Sequence, residues 1–320
     1  MSIFALKTTL LSKQFWRKKN LFSKKEFFAA VKNLNMEVRP GEAVAFLGPN
    51  GAGKSTSIKL LCGILKPTTG TSWLSGYPSG SFEANMRLGL VLGTRSSLWM
   101  YLTVKQSLEM IGATYFLSNQ EVNSRINTLA ELFEIQPFLS SPPNSLSLGE
   151  RMRCEIVASL IHRPSILLAD EPTIGLDIVG KTTFRNLLKQ WQEEEKATLL
   201  LTSHDMSDVA ALCQRAILID KGEIRYDGLL KGLKGSLAST RNIKLTFSQL
   251  MLGNVLTGHE IKMIEDNHLT KTFQIDTKEI SIIEAIDQLM RQFKDTILDI
   301  SVEEMSLESL ITQWYTGKIF

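Results

Sequence analysis

The chain has 320 residues, 43% of them hydrophobic and 22% charged, which is enough for one large globular domain and a smaller one. A net charge of +3 is too small to mark a nucleic-acid binder, and no apolar run reaches the roughly 18 residues that a membrane span needs. Residues 1–11 carry Lys7 and lack the arrangement of a cleaved signal peptide. Cys62, Cys154 and Cys213 are widely spaced within apolar helical patterns, so they are expected to be reduced core residues and not a disulfide frame or a ligand set.

In chain order, residues 3–11 read as an edge strand that 12–16 bring to an end with the adjacent aromatics Phe15 and Trp16. A basic segment follows (Arg17, Lys18, Lys19, Lys24, Lys25), interleaved with Phe22, Phe27 and Phe28, and reads as a solvated loop. A sharper reading of the same residues is contact with anionic lipid headgroups or a membrane partner. Residues 31–38 form a second strand, closed by a turn at 39–42.

The apolar run 44–47 reads as a buried strand and opens onto Gly48-Pro49-Asn50-Gly51-Ala52-Gly53-Lys54-Ser55-Thr56, with a helix expected over 56–65. Gly48-x-x-x-x-Gly53-Lys54-Ser55 is a P-loop in its required strand–loop–helix context. Glycines let the backbone curl so that successive N–H groups face phosphate oxygens, and the helix start adds its dipole. Lys54 is placed to reach the terminal phosphates, and the Ser55 hydroxyl to ligate Mg²⁺. These residues imply a nucleoside triphosphate.

Short strands and turns are expected up to residue 90, then a strand at 88–92 and mostly helix over 104–138. A breaker cluster at 141–145 precedes Leu146-Ser147-Leu148-Gly149-Glu150-Arg151, which opens a helix running to about 161. Ser147 is its N-cap and Glu150 has capping-box spacing. The buried strand 166–169 ends in Asp170-Glu171. Carboxylates at the mouth of a buried strand are costly unless a cation or substrate uses them. Asp170 is the expected Mg²⁺ partner of Ser55, and Glu171 could accept a proton from attacking water. Another buried strand, 199–203, delivers His204 to the edge where ligands bind in α/β sheets.

The order of P-loop, Leu-Ser-x-Gly-x-Arg, strand with Asp-Glu, Gly175-Leu176-Asp177 and His204 resembles that of ATP-binding-cassette (ABC) transporter ATPases over residues 1–235. Leu146 to Glu155 and the Glu-Pro-Thr-Ile-Gly-Leu-Asp run look like the subgroup that serves bacterial exporters with separate membrane chains. The resemblance implies an α/β P-loop core with a helical subdomain, ATP and Mg²⁺ as ligands, and a dimer, most simply a homodimer. It implies integral-membrane permease subunits as partners, and a place on the cytoplasmic face of the cell membrane. It assigns Phe15 to adenine stacking (Trp16 as the fallback), Ser147 and Gly149 to the nucleotide of the opposite subunit, Asp177 to the dimer seam, and His204 to the γ-phosphate. Thr94 stands where the family carries Gln, and Leu148 and Glu150 replace the usual Gly and Gln of the signature.

From about residue 236 the pattern stops, and 243–247, 261–265, 268–275 and 296–302 read as strands. Ile282, Ile283, Ile286, Leu289, Met290 and Phe293 form a helical stripe, and Leu307, Leu310, Ile311 and Trp314 a second. The expectation is a small α+β accessory domain over 236–320. A soluble P-loop kinase or GTPase is disfavoured, since no Asn-Lys-x-Asp base-reading motif occurs. A non-transport ABC ATPase is also disfavoured, for want of a second cassette or long coiled-coil insert. A weakly hydrolysing partner in a heterodimer is the alternative that Thr94 keeps open.

Overall fold

The computed structural model describes residues 4–18, 25–93, 96–235, 240–249, 260–267, 269–293, 296–304 and 311. Two compact units are formed, residues 1–230 and 231–320.

Among the described residues the first unit holds two sheets. One is antiparallel, of order β2-β1-β4-β5: β1 (Leu6–Lys18), β2 (Lys25–Val38), β4 (Thr69–Leu74) and β5 (Tyr77–Pro78). The other has the order β10-β9-β3-β8-β7-β6: β3 (Ala43–Leu47), β6 (Leu88–Leu92), β7 (Ile166–Asp170), β8 (Thr198–Thr202), β9 (Arg215–Asp220) and β10 (Glu223–Leu229). In it β3 pairs parallel with β8 and β9, β7 pairs parallel with β6 and β8, and β10 runs antiparallel to β9. Parallel strands are covered on both faces, and so β8, Thr-Leu-Leu-Leu-Thr, is buried at every position. One core joins Leu6, Leu11 and Leu34 of the antiparallel sheet to Phe46, Leu168 and Leu200 of the other. Helix α1 (Lys54–Leu61) contributes Ile58, Leu60 and Leu61 to the same core.

Beyond β6 and the short α2 (Phe82–Asn85), helices α3 (Val104–Thr114), α4 (Asn119–Leu132) and α5 (Leu148–Leu160) pack on one another. Each of these three starts with a reciprocal capping box, Thr103–Gln106, Ser118–Glu121 and Ser147–Glu150, which satisfies the N–H groups that a helix start leaves orphaned. Helix α6 (Ile178–Glu195) connects β7 to β8, and α7 (Met206–Leu212) connects β8 to β9.

The second unit begins within α8 (Leu230–Gly235), whose first residue alone belongs to the first unit. It is an antiparallel sheet of order β12-β13-β11-β14, made of β11 (Thr240–Phe247), β12 (Ile261–Asp266), β13 (Thr270–Asp276) and β14 (Ile297–Glu304). Helix α9 (Ile282–Phe293) packs Ala285, Leu289 and Phe293 against Ile243, Leu245 and Phe273. Among the described residues no helix is long and apolar enough to cross a membrane.

Several expectations are corrected. Strand β1 is not an edge: β4, distant in sequence, pairs with its other side, and the strand carries on through Phe15 and Trp16 against β2, with irregular register between Thr8 and Gln14. Arg17, Lys18 and Lys25 accordingly stand in strands and not in a loop; Lys19, Phe22 and Lys24 lie outside the described residues. Helix α1 stops at Leu61 instead of 65, because Gly63 turns left-handed (φ 72) at a close approach to Gly80. The stripe 307–314 lies outside the described residues except Ile311, which is helical and buried. All three cysteines are free and buried, and burial pushes their thiols up to about 12.

Candidate functional site

Because β3, β6, β7 and β8 are parallel, their carboxyl ends share one edge of the sheet, the usual place for a ligand in an open α/β fold. From β3 comes the loop 48–53, from β6 Gly93, from β7 Asp170 and Glu171, and from β8 Ser203 and His204. Alternating apolar strands interrupted at their tips by glycine or charge are what the sequence supplies, and the sheet order brings those tips together.

The P-loop is held from behind by the β9–β10 turn and β2. Gly222 N–H donates to the Ala52 carbonyl (2.9 Å), and Lys32 N–H donates to the Gly222 carbonyl (2.8 Å). Gly53, the N-cap of α1, has φ 110, and a Cβ there would lie 2.4 Å from the Ala30 carbonyl oxygen, so no other residue fits without moving the loop. Helix α1 has no side-chain cap and no acid in its first turn. The Lys54 ammonium donates to the carbonyls of Gly48 (2.5 Å) and Pro49 (3.3 Å). Burial pushes its pKa below the ordinary value, while the Glu171 and Asp170 carboxylates nearby pull it back up. Ser55 is exposed at the helix start. Loop N–H groups and a partly buried cation can cradle phosphates.

At the end of β7 the Asp170 carboxylate accepts from Thr202 Oγ1 at 2.5 Å. Glu171 is left-handed, with φ 51, a conformation uncommon outside glycine and held here by its N–H donating to both Thr202 oxygens (3.0 and 3.1 Å). Gly93 N–H donates to the Asp170 carbonyl (2.9 Å), and a Cβ on Gly93 would lie 2.4 Å from the Glu171 carbonyl oxygen. The turn therefore aims the Glu171 side chain, whose Oε1 lies 3.1 Å from His204 Nε2. Among the described residues no cluster of three or more His, Cys, Asp or Glu could hold a metal by itself. The oxygen donors Ser55 and Asp170 fit instead a magnesium ion that draws its remaining ligands from phosphate and water.

A second group assembles around the start of α5. Ser147 caps it, Gly149 follows, and a Cβ on Gly149 would come within 3.9 Å of Leu176. Asp177 caps α6 by accepting from Gly180 N–H at 2.7 Å. Ser147, Gly149, Glu150, Val179, Gly180 and Thr183 line one groove. The structure thus gathers Lys54, Asp170, Glu171 and His204 into one set, and Ser147, Gly149 and the start of α6 into another. Phe15 joins neither by any contact described; it is 37% exposed on β1 with Lys13 Nζ 5.3 Å from its ring. Trp16 packs on Phe27 with the rings tilted by 36° and their centroids 3.6 Å apart. Thr94 lies outside the described residues.

Residues that sequence reasoning passed over support the site. Thr202, read only as part of a strand, holds both Asp170 and the Glu171 amide. Buried Glu155 of α5 accepts from the Ser96 hydroxyl and from Ser97 N–H (2.7 Å), so it ties α5 to the segment after β6, and burial raises its pKa. Its only signal was a carboxylate inside an apolar helix face.

Comparison with known proteins points one way. The family model described as ABC transporter matches residues 31–174. The chain is 34% identical over 232 residues to the ABC transporter ATP-binding protein NatA of Bacillus subtilis, covering 72% of this chain and 94% of that protein. It is 34% identical over 236 residues to the probable multidrug ABC transporter ATP-binding protein YbhF of Escherichia coli, covering 73% of this chain but 40% of the relative. Among solved structures it is similar to the dimeric, ADP- and Pi-bound cassette MJ0796, with TM-score 0.62, 26% identity, and 70% and 98% of the two chains covered. It is also similar to CbiO1 of Clostridium perfringens, part of the ABC transporter complex CbiONQ, with TM-score 0.62, 27% identity, and 73% and 92% covered.

Proposed function

The chain belongs to the ATP-hydrolysing ATP-binding proteins of the ABC transporter family, and from that premise we propose that it powers export through separate membrane permease subunits from the inner face of the cell membrane. The observation that carries the catalytic part is the turn after β7, which presents the Glu171 carboxylate 3.1 Å from His204 beside the P-loop. The multidrug description of the Escherichia coli relative supports export, and CbiO1's membership of a multi-chain complex supports separate permeases.

In this reading the loop 48–53, Lys54, Ser55 and Thr56 bind the phosphates of ATP, and Phe15 stacks on its base. Ser55 and Asp170 would hold Mg²⁺, which would neutralise charge on the phosphates. Glu171 takes a proton from the attacking water, and His204 holds the transferring γ-phosphate and Glu171 in one arrangement. One P-loop covers one side of the phosphates, so the start of α5, with Ser147 and Gly149, serves the nucleotide of a second copy of the chain. Asp177 stands at the seam. Such a pairing is isologous and closes at two subunits. Residues 236–320 form an accessory domain in this scheme, and Thr94 takes the place of a glutamine in the loop that meets the permease.

Glu171→Gln is expected to keep ATP binding and lower turnover by about 10²–10⁴-fold, or about 3–5 kcal/mol of barrier. Near-native turnover would remove Glu171 from the role. In the same variant, light scattering should show a dimer with ATP, a monomer with ADP, and a monomer with ATP once Ser147→Arg is added. A monomer with ATP and Ser147 intact would turn the reading to a heterodimer with a different ATPase chain.

A further inference from the structure

Glu171 and His204 follow the ends of different strands, and besides Thr202 a second polar group, Asp208, ties their loops together. It lies in the first turn of α7, with a side-chain exposure of 0%. Its Oδ2 accepts from Thr173 Oγ1 at 2.5 Å and from Ser203 Oγ at 3.0 Å, while Oδ1 accepts from Arg185 Nη1 at 3.2 Å. Thr173 is two residues beyond Glu171, in the turn whose Ile174 N–H returns to the Glu171 carbonyl at 3.2 Å. Ser203 immediately precedes His204 and also accepts from Asp205 N–H at 3.0 Å. Arg185 lies on α6, the helix that Asp177 caps. One carboxylate therefore holds the turn of Glu171, the strand end of His204 and the helix of Asp177.

A buried carboxylate is a costly way to fill space, since a well-packed apolar side chain would do so without desolvating a charge. What it adds is direction: the two hydroxyls and the guanidinium must point at it, and the loops that carry them are thereby set in register. The catalytic pair needs that register, because a misplacement of about 1 Å in a reacting group can cost about 10²-fold in rate. We propose that Asp208 is a positioning residue for ATP hydrolysis, setting Glu171 against His204 through Thr173 and Ser203. The inference rests on the reading of Glu171 as the base.

The test measures turnover and ATP affinity in the full-length chain carrying Asp208→Asn, Thr173→Val, Ser203→Ala or Glu171→Gln, and in the Asp208→Asn, Glu171→Gln double variant. Asp208→Asn keeps the shape but loses the charge and an acceptor oxygen. It should lower kcat by about 10–100-fold and leave the Kd for ATP within about 3-fold, because the Lys54 loop is untouched. Thr173→Val and Ser203→Ala, removing one tether each, should each lower kcat by about 3–10-fold. In the Glu171→Gln background the same Asp208→Asn change should cost less than about 3-fold, since the group it positions is already gone. A general loss of fold would multiply equally in both backgrounds, and that result overturns the proposal. So does a folded Asp208→Asn with native kcat, or one whose loss lies in ATP affinity. Should Asp208→Asn fail to fold, native kcat in both Thr173→Val and Ser203→Ala overturns it. Glu171→Gln inactive with Asp208→Asn active sinks this inference alone; Glu171→Gln fully active sinks the underlying reading and this inference together.

Discussion

Helix α1 starts at a left-handed Gly53, without a side-chain cap and without an acid in its first turn. Helix α5 starts at Ser147, whose hydroxyl (2.7 Å) and N–H (2.8 Å) both donate to the Glu150 carboxylate, while Glu150 N–H returns to the Ser147 oxygen at 3.4 Å. Every helix leaves its first N–H groups without a partner inside the helix. At α1 the chain supplies no side chain for them, and in the proposed function the phosphates of ATP take that place, with the loop and Lys54 beside them. At α5 the chain supplies its own anion, the Glu150 carboxylate, which takes the Ser147 hydroxyl and N–H that the proposed dimer would offer to a second nucleotide. Under the proposed dimer the difference implies an order of events: ATP affinity would reside in the P-loop of one subunit, and engagement of Ser147 of the other would be the weaker step, in which γ-phosphate displaces Glu150.

Closing the open start breaks the contrast most severely. Gly53→Ala places a Cβ 2.4 Å from the Ala30 carbonyl oxygen and forces an L-residue to φ 110. With strain of about 1–3 kcal/mol at such a conformation and the loop displaced, ATP affinity should fall about 100-fold. Isothermal titration checks this, and a folded variant with native affinity would mean that the loop adapts.

Loosening the closed start sharpens it. Glu150→Gln replaces a charge-assisted bond to Ser147 with a neutral one of about half the strength and removes a negative charge that the proposed dimer would bring near phosphate. In the Glu171→Gln background, the ATP-driven dimer should tighten by about 3–10-fold with ATP affinity of the monomer unchanged. Sedimentation equilibrium measures both, and an unchanged dimer constant would show that Glu150 does not compete.

The smallest effect compares the two acids of α5 with each other. The Ser147 donors hold the Glu150 carboxyl below the usual range, whereas burial raises Glu155 above it, against the hydrogen bonds from Ser96 and Ser97 that lower it. For Glu150 the folded state favours the ionised form, so its contribution to stability is present above the unfolded carboxylate's pKa and is lost as pH falls through the lower folded value. Glu155 has the opposite sign: its contribution is full below the unfolded pKa and is lost as pH rises through the raised folded value. Carboxyl NMR should place the Glu155 midpoint above that of Glu150. Coincident midpoints would remove the electrostatic side of the contrast.

How much of this could be read from residues alone differs along the chain. The α5 start was legible because Ser147 and Glu150 lie three residues apart, within one turn, and the capping box forms as its spacing requires. Strand β7 and its acidic end were legible for a similar reason, an apolar run broken by charge. The strand expected over 3–11 matches β1 only over residues 6–11, since β1 carries on to Lys18, and its neighbours differ too, because nothing near it announces that β4 will pair with its free side. The hairpin of β9 and β10, which backs the P-loop through Gly222, and helices α6 and α7 carried no motif that singled them out.

By itself the sequence determined the elements and the chemistry they carry: the phosphate loop, the carboxylates at the end of β7, the histidine after β8 and the capped α5. Those depend on spacings within a few residues, where backbone geometry and side-chain reach leave little choice. Only the tertiary structure decided that Glu171 is left-handed and faces His204, that Gly93 must lack a side chain to let that turn through, and that Asp208 joins Thr173, Ser203 and Arg185. Each of these depends on the order of strands in the sheet, which sets residues far apart in the chain within hydrogen-bonding distance. At Asp208, wholly buried, the pairing is then obligatory, because a polar group that has left water must find its partner inside the fold.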